Sequence, residues 1–177
     1  MRERRGGLFS QTPDAARRAA ACFPIRSLPA FAVAAAYFPM GSELDPTPLA
    51  ERLAAAGARL ALPAAEQADA PLVFRAWAPG DPLEPDAAGV PSPGPAAAQL
   101  TPDLVIAPVL AFDRRGGRLG QGGGHYDRTL ENLRASRAVF VVGLAFSGQE
   151  LDHIPLQPHD QRLDAILTEA EFISVGG

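Results

Sequence analysis

The sequence predicts a single α/β domain with helices on both faces of a largely parallel sheet. Three observations carry that prediction. Residues 104–112 and 138–146 are continuous apolar runs, the pattern of strands buried on both faces. Between them lies a helix-spaced stretch through Tyr126, Leu130 and Leu133, which makes a βαβ unit with an expected right-handed crossover. The length of 177 residues fits one domain, and no internal repeat divides it.

The remaining elements follow in order. Residues 1–30 read as a partial helical region, in which Thr12-Pro13-Asp14 opens a helix over 15–21 with proline at a first-turn position. Residues 31–38 are apolar but too short for a long helix and read as a buried strand. Asp45 and Thr47 cap a helix carrying Leu49, Leu53 and Ala56, and Gly57 stops it. Residues 59–62 and 72–77 follow as strands, and 165–168 and 172–175 close the sheet. Residues 79–95 are rich in proline, glycine and alanine. Proline removes donors and restricts its predecessor, so no regular element is expected there. An ordered surface loop suits this stretch better than a linker, because neither flank is large enough for a core of its own.

Composition narrows the function. The net charge of −4 gives no footprint for nucleic acid or another polyanion. All 16 basic residues are arginine; there is no lysine. Cys22 is the sole cysteine, which excludes an intrachain disulfide and a multi-cysteine zinc site, and it reads as a buried small hydrophobe. No apolar run approaches the roughly 20 residues of a membrane span. The basic residues after Met1 do not lead into a signal core, so a soluble cytoplasmic protein is expected.

In an open α/β sheet, ligands bind beyond the carboxyl ends of the strands. The glycine-rich stretch 113–124 stands at such a place, just ahead of a helix start. Glycines let backbone N–H groups approach an anion closely, and Arg118 offers a bidentate phosphate contact. The spacing is neither a Walker loop nor a dinucleotide fingerprint. By spacing alone, a phosphate cradle and a merely flexible loop both remain open.

The surrounding blocks carry more. Pro102-Asp103-Leu104-Val105-Ile106-Ala107-Pro108, then Ala111-Phe112-Asp113-Arg114-Arg115-Gly116, then Arg118-Leu119-Gly120-Gln121-Gly122-Gly123-Gly124-His125-Tyr126-Asp127-Arg128 resemble the hallmark segment of the 5-formyltetrahydrofolate cyclo-ligases. The likeness continues through Gly143-Leu144-Ala145-Phe146, Gln149, Pro155, His159-Asp160 and Leu163-Asp164-Ala165. Upstream it includes Phe38-Pro39, Glu43, Leu62-Pro63 and Leu72-Val73-Phe74-Arg75-Ala76-Trp77. It thus covers nearly the whole chain from about Phe31 onward.

The resemblance implies a fold like the NagB/RpiA/CoA-transferase group. It also implies ATP- and Mg2+-dependent cyclisation of a reduced folate, by a monomer or weak homodimer with small-molecule partners only. Arg118, Leu119, Gly120, Gln121, Gly122, Gly123, Gly124, His125 and Tyr126 match the ATP-binding loop, with Arg118 and Tyr126 as the implied catalytic pair. Gln121 to His125 also match the folate side of that loop, as do Phe38 and Glu43 from elsewhere. Asp127 and Asp160 match magnesium carboxylates.

Blander readings stand beside these. Asp127 is favourable to a helix dipole in any first turn, Asp160 can cap a turn, and Asp113 and Asp164 are turn or surface acids with a weaker claim to metal. His125, His153 and His159 lack the spacing of a helical zinc pair; His125 reads as pocket lining without a proton-transfer role. Trp77 either faces the folate ring or covers the sheet. Two departures from the family pattern are visible. The family's Lys-x-x-Leu-Arg helix is matched only at its end, by Arg4-Arg5 and Ser10, which places the lysine ahead of Met1. Ser92 also stands where relatives commonly carry glutamate. A nucleotide- or folate-binding paralogue without the reaction is therefore the alternative reading.

Overall fold

The structure is a computed structural model and describes residues 1–67 and 69–176. Two helices open the chain, α1 (Arg2–Gln11) and α2 (Ala15–Cys22). Strand β1 (Val33–Ala35), helix α3 (Thr47–Ala55) and strands β2 (Arg59–Ala64) and β3 (Val73–Ala76) follow. Then come the short strands β4 (Glu84–Pro85), β5 (Pro91–Ser92) and β6 (Gln99–Leu100), and the long central strand β7 (Leu104–Pro108). A hairpin of β8 (Ala111–Phe112) and β9 (Arg118–Leu119) leads to α4 (His125–Ser136). Strands β10 (Phe140–Leu144), β11 (Ala165–Leu167) and β12 (Phe172–Ser174) complete the fold.

Eight strands form one sheet in the order β12-β11-β10-β7-β1-β2-β3-β6. The five central strands are parallel, and the antiparallel strands lie outside them. Because side chains alternate along a strand, each central strand feeds two cores. Ala34, Leu104, Ile106 and Val142 join Ala19 of α2 and Leu49 and Leu53 of α3 on one face. Ala35, Val105, Ala107 and Val141 join Leu130 of α4 and Phe112 of the hairpin on the other. This two-sided burial is why residues 104–108 and 140–144 read as unbroken apolar runs.

The caps fall where local chemistry places them. Asp45 accepts the Thr47 N–H at 2.9 Å to start α3, and Gly57 at φ +97° ends it. Three expectations need correction. The apolar run 104–112 is two strands rather than one. The buried Gln149 amide donates to the carbonyls of Val109 (2.9 Å) and Leu110 (3.0 Å) and turns the chain out of the sheet. Residues 79–95 do contain a ladder, β4–β5, because the Asp86 carboxylate takes over the turn's N–H groups, from Ala88 and Val90, and also binds Ala65. Cys22 is only half buried.

Residues 113–124 are likewise not one loop. Asp113, 2% exposed, accepts the N–H groups of Arg115, Gly117 and Ile154 at 2.8–2.9 Å and closes the β8–β9 turn. Gly116 sits there at φ +81°, where an added Cβ would meet the Leu163 carbonyl at 2.5 Å. Burial alone would raise the Asp113 carboxyl, but these hydrogen bonds hold it below the usual carboxylate range. A depressed folded pKa gives stability that is complete above the unfolded value of about 3.9 and is lost as pH falls through the folded value. Asp113→Ala should therefore lower the unfolding free energy by about 2–4 kcal/mol at pH 7. In denaturant titrations the gap to the parent should narrow below about pH 4.

Candidate functional site

The sheet order itself locates the site. From β1 the chain crosses through α3 to β2 on one side; from β7 it crosses through α4 to β10 on the other. The strand order thus reverses between the neighbours β1 and β7, and at such a switch point the outgoing connections part and leave a crevice. A cavity of about 720 Å3 opens there. Tyr37 and Phe38 line it beyond β1, Pro63 near the end of β2 and Pro108 at the end of β7.

One wall is the shortened glycine loop and the start of α4. Residues 120–124 line the cavity, with Gly122 at φ +102° and Gly124 at φ +63° as the residue capping α4. Gly123 is not among the glycines of positive φ. Its constraint is close approach, since an added Cβ would fall 2.7 Å from His125 Nδ1. The open helix terminus directs positive potential into the cavity.

Arg118 lies on β9 rather than on a flexible loop. It is buried and donates to Asp127 Oδ1 at 2.6 Å, and the same oxygen accepts the Gln161 N–H at 2.9 Å. Its guanidinium stands 6.0 Å from the centroid of the Tyr126 ring, and its Nε is buried with no hydrogen-bond partner. Asp160 also lines the cavity, and it caps its own turn by accepting the Gln157 N–H at 2.7 Å.

The opposite wall carries a carboxylate held in place. Glu43, 6% exposed, accepts the Met40 N–H on Oε2 at 2.9 Å and the Gln121 amide on Oε1 at 3.1 Å. Arg5 of α1 lies 3.6 Å from Oε1 and donates to Ser42 Oγ at 3.1 Å. Gln121 therefore ties the two walls together. Tyr37 donates to the Leu44 carbonyl, while the buried Tyr126 hydroxyl has no partner. Burial first, and then the Glu43 charge, push both phenols well above their ordinary range.

The residues matched to the nucleotide loop, together with Phe38, Glu43, Asp127 and Asp160, line this one cavity, whereas Asp113 and Asp164 do not. Trp77 does not; it packs on the sheet face that α2 and α3 cover. Ser92 is buried in β5 opposite Glu84 and off the lining. His153 and His159 are mainly exposed and stand beside Asp113 and Asp160 respectively, each at 3.7 Å. Among the described residues, no three His, Cys, Asp or Glu side chains gather as a metal group. Arg5 is a site neighbour that periodicity could not reveal. Its helix contains Gly6-Gly7 and buries no other residue.

A family model described as the 5-formyltetrahydrofolate cyclo-ligase family matches residues 1–169. The chain belongs to that family. It is 38% identical over 141 residues to the 5-formyltetrahydrofolate cyclo-ligase of Mycolicibacterium smegmatis, covering 75% of this chain and 71% of the relative. To the 5-formyltetrahydrofolate cyclo-ligase of Escherichia coli K12 it is 34% identical over 142 residues, covering 77% and 78%. The NMR structure of Aquifex aeolicus 5,10-methenyltetrahydrofolate synthetase superposes with a TM-score of 0.73 at 26% identity, covering 99% of this chain and 92% of that one. The cyclo-ligase match thus takes in both walls of the cavity. Among the described residues, no helix is long and apolar enough to cross a membrane.

The two phenols of this cyclo-ligase family member, its only tyrosines, give a direct check of the site's electrostatics. A folded pKa raised above the unfolded value of about 10 stabilises the fold fully below that pH and progressively less above it. In a spectrophotometric titration, phenolate absorbance should stay well under half its final value at pH 10 and rise only at higher pH. Glu43→Gln should bring the rise to lower pH, because it removes the neighbouring negative charge.

Proposed function

We propose that this chain closes the ring of 5-formyltetrahydrofolate to 5,10-methenyltetrahydrofolate at the expense of ATP, in the cytoplasm. The observation that carries the reading is the pairing of a glycine loop at a helix start with a fixed carboxylate, Glu43, across one cavity. The loop suits the triphosphate, and Glu43 suits the amino and ring N–H groups of a pterin.

In the proposed reaction the formyl oxygen attacks the γ-phosphorus and ADP leaves. N10 then attacks the activated formyl carbon and loses its proton. Phosphate departs with the former formyl oxygen, giving the methenyl bridge, ADP and inorganic phosphate. Such a transfer asks for positioning and charge stabilisation more than for covalent work by the protein. Tyr126 retains its proton, since burial and Glu43 raise its pKa, and so offers an O–H donor to a charged oxygen. Arg118 steadies both Asp127 and the Tyr126 ring. Phe38 adds apolar surface for the folate.

Magnesium fits this site as an ion carried by the triphosphate. Asp127 and Asp160 face the same cavity, and one or two carboxylates together with phosphate oxygens form the donor set that Mg2+ favours. There it would supply neutralisation of phosphate charge.

The test is to follow methenyltetrahydrofolate absorbance after mixing the protein with Mg-ATP and 5-formyltetrahydrofolate. ATP-dependent product formation is expected; binding of both ligands without turnover would identify a binding paralogue instead. Gly122→Val should cut ATP affinity at least tenfold with little loss of fold. A β-branched residue resists φ +102°, although the space around this glycine is open. Asp127→Asn should shrink the gain in ATP affinity that magnesium gives, as read by calorimetry with and without the ion. Parental affinity under both conditions would remove Asp127 from the metal site.

A further inference from the structure

Arg128 stands in the first turn of α4 and folds back over the helix start. Its Nη2 donates to the Gly123 carbonyl at 2.9 Å, and a Cβ added to Gly124 would lie 2.8 Å from its Nη1. Its Nε is buried without a hydrogen-bond partner. Among the described residues no carboxylate pairs with it. Arg118, by contrast, is paired with Asp127, and Arg5 lies beside Glu43. Arg128 is thus a cation without an ion-pair partner among the described residues, placed at the positive end of a helix.

That placement runs against the stability of the free protein. A cation at a helix start costs a few tenths of a kcal/mol up to about 1, where an acid would be favoured. None of the 177 residues given is lysine, so among the described residues the cationic side chains near the glycine loop are arginines. Packing on Gly124 adds a second reason for glycine there, besides its φ of +63°. A carbonyl held by a guanidinium is also one not directed at an incoming anion.

We infer that Arg128 is a positioning residue for the phosphate end of the nucleotide. By gripping the Gly123 carbonyl it holds the loop in its anion-accepting form, and it adds an uncompensated positive charge behind that loop. It is absent from the cavity lining, so it acts through the backbone of Gly123 and Gly124 rather than by touching the nucleotide. The inference rests on the proposed ATP-dependent reaction.

The experiment compares the full chain with Arg128→Gln and Arg128→Lys in turnover assays in which ATP and 5-formyltetrahydrofolate are varied separately, with thermal melting of each variant. Arg128→Gln should raise the KM for ATP roughly tenfold or more, as expected for loss of a charged hydrogen bond. The KM for the folate should stay within about twofold. Arg128→Lys keeps the charge but not the planar fork, and its KM for ATP should rise only about threefold. An unchanged KM for ATP in Arg128→Gln, or parallel rises for both substrates, overturns the inference while leaving the proposed reaction intact. Should the glutamine variant not fold, the lysine variant decides: a parental KM for ATP, or an equal rise for both substrates, overturns it. A parent with no ATP-dependent turnover overturns the proposed function, and this inference with it.

Discussion

β1 and β7 run parallel at the centre of the sheet and send their chains off in opposite directions, and the carboxylate of Asp103 joins them at their amino ends. Its Oδ2 accepts the N–H groups of Ala32 (2.9 Å) and Val33 (3.0 Å), and Arg137 at the end of α4 binds its other oxygen. Burial would raise this carboxyl, but the two N–H groups and Arg137 hold it below the ordinary range, so it stays charged. Asp164 repeats the device between β10 and β11, accepting the Val141 N–H at 2.8 Å and Arg134 at 2.9 Å. With the amino ends fixed in this way, the carboxyl ends of β1 and β7 part where the connections diverge. The cavity is a consequence of that seam.

What the cavity offers follows from which groups are already committed. Arg118 is spent on Asp127, and Arg5 lies beside Glu43, so the walls are held by buried charge contacts rather than by apolar packing alone. Burying charges in this manner adds little net stability, but it fixes geometry. Gln121, bonded across to Glu43, ties the glycine loop to the opposite wall. A change at one wall is therefore felt at the other. A reaction that depends on placing a phosphoryl group beside a formyl oxygen needs such coupling more than it needs a strong acid or base.

Much of this was legible in the chain. The central strands declared themselves because burial on both faces leaves no polar residue in 104–107 or 141–142. The ordered motif blocks pointed to the family and to the cavity residues. The misreadings of chain path share a physical cause, namely that side chains took over backbone hydrogen bonds. Gln149 ended β7 early, Asp113 turned half of an apparent loop into a hairpin, and Asp86 built a ladder in a proline-rich stretch. None of these bonds leaves a periodic trace. Asp113 and Asp164, weighed as metal ligands or turn acids, are structural acceptors. The helix α1, with two central glycines, has almost no apolar signal and places Arg5 at the site through that arginine's own polar contacts.

The proposed reaction requires a single cavity that serves both ligands. The most direct measurement is a crystal structure of the chain with a non-hydrolysable ATP analogue, magnesium and 5-formyltetrahydrofolate. It should place the terminal phosphate against residues 120–124 and the start of α4, the pterin on Glu43, and the formyl oxygen in contact with the terminal phosphate. A nucleotide bound outside the crevice between β1 and β7, or a folate that leaves Glu43 untouched, would contradict a shared cavity.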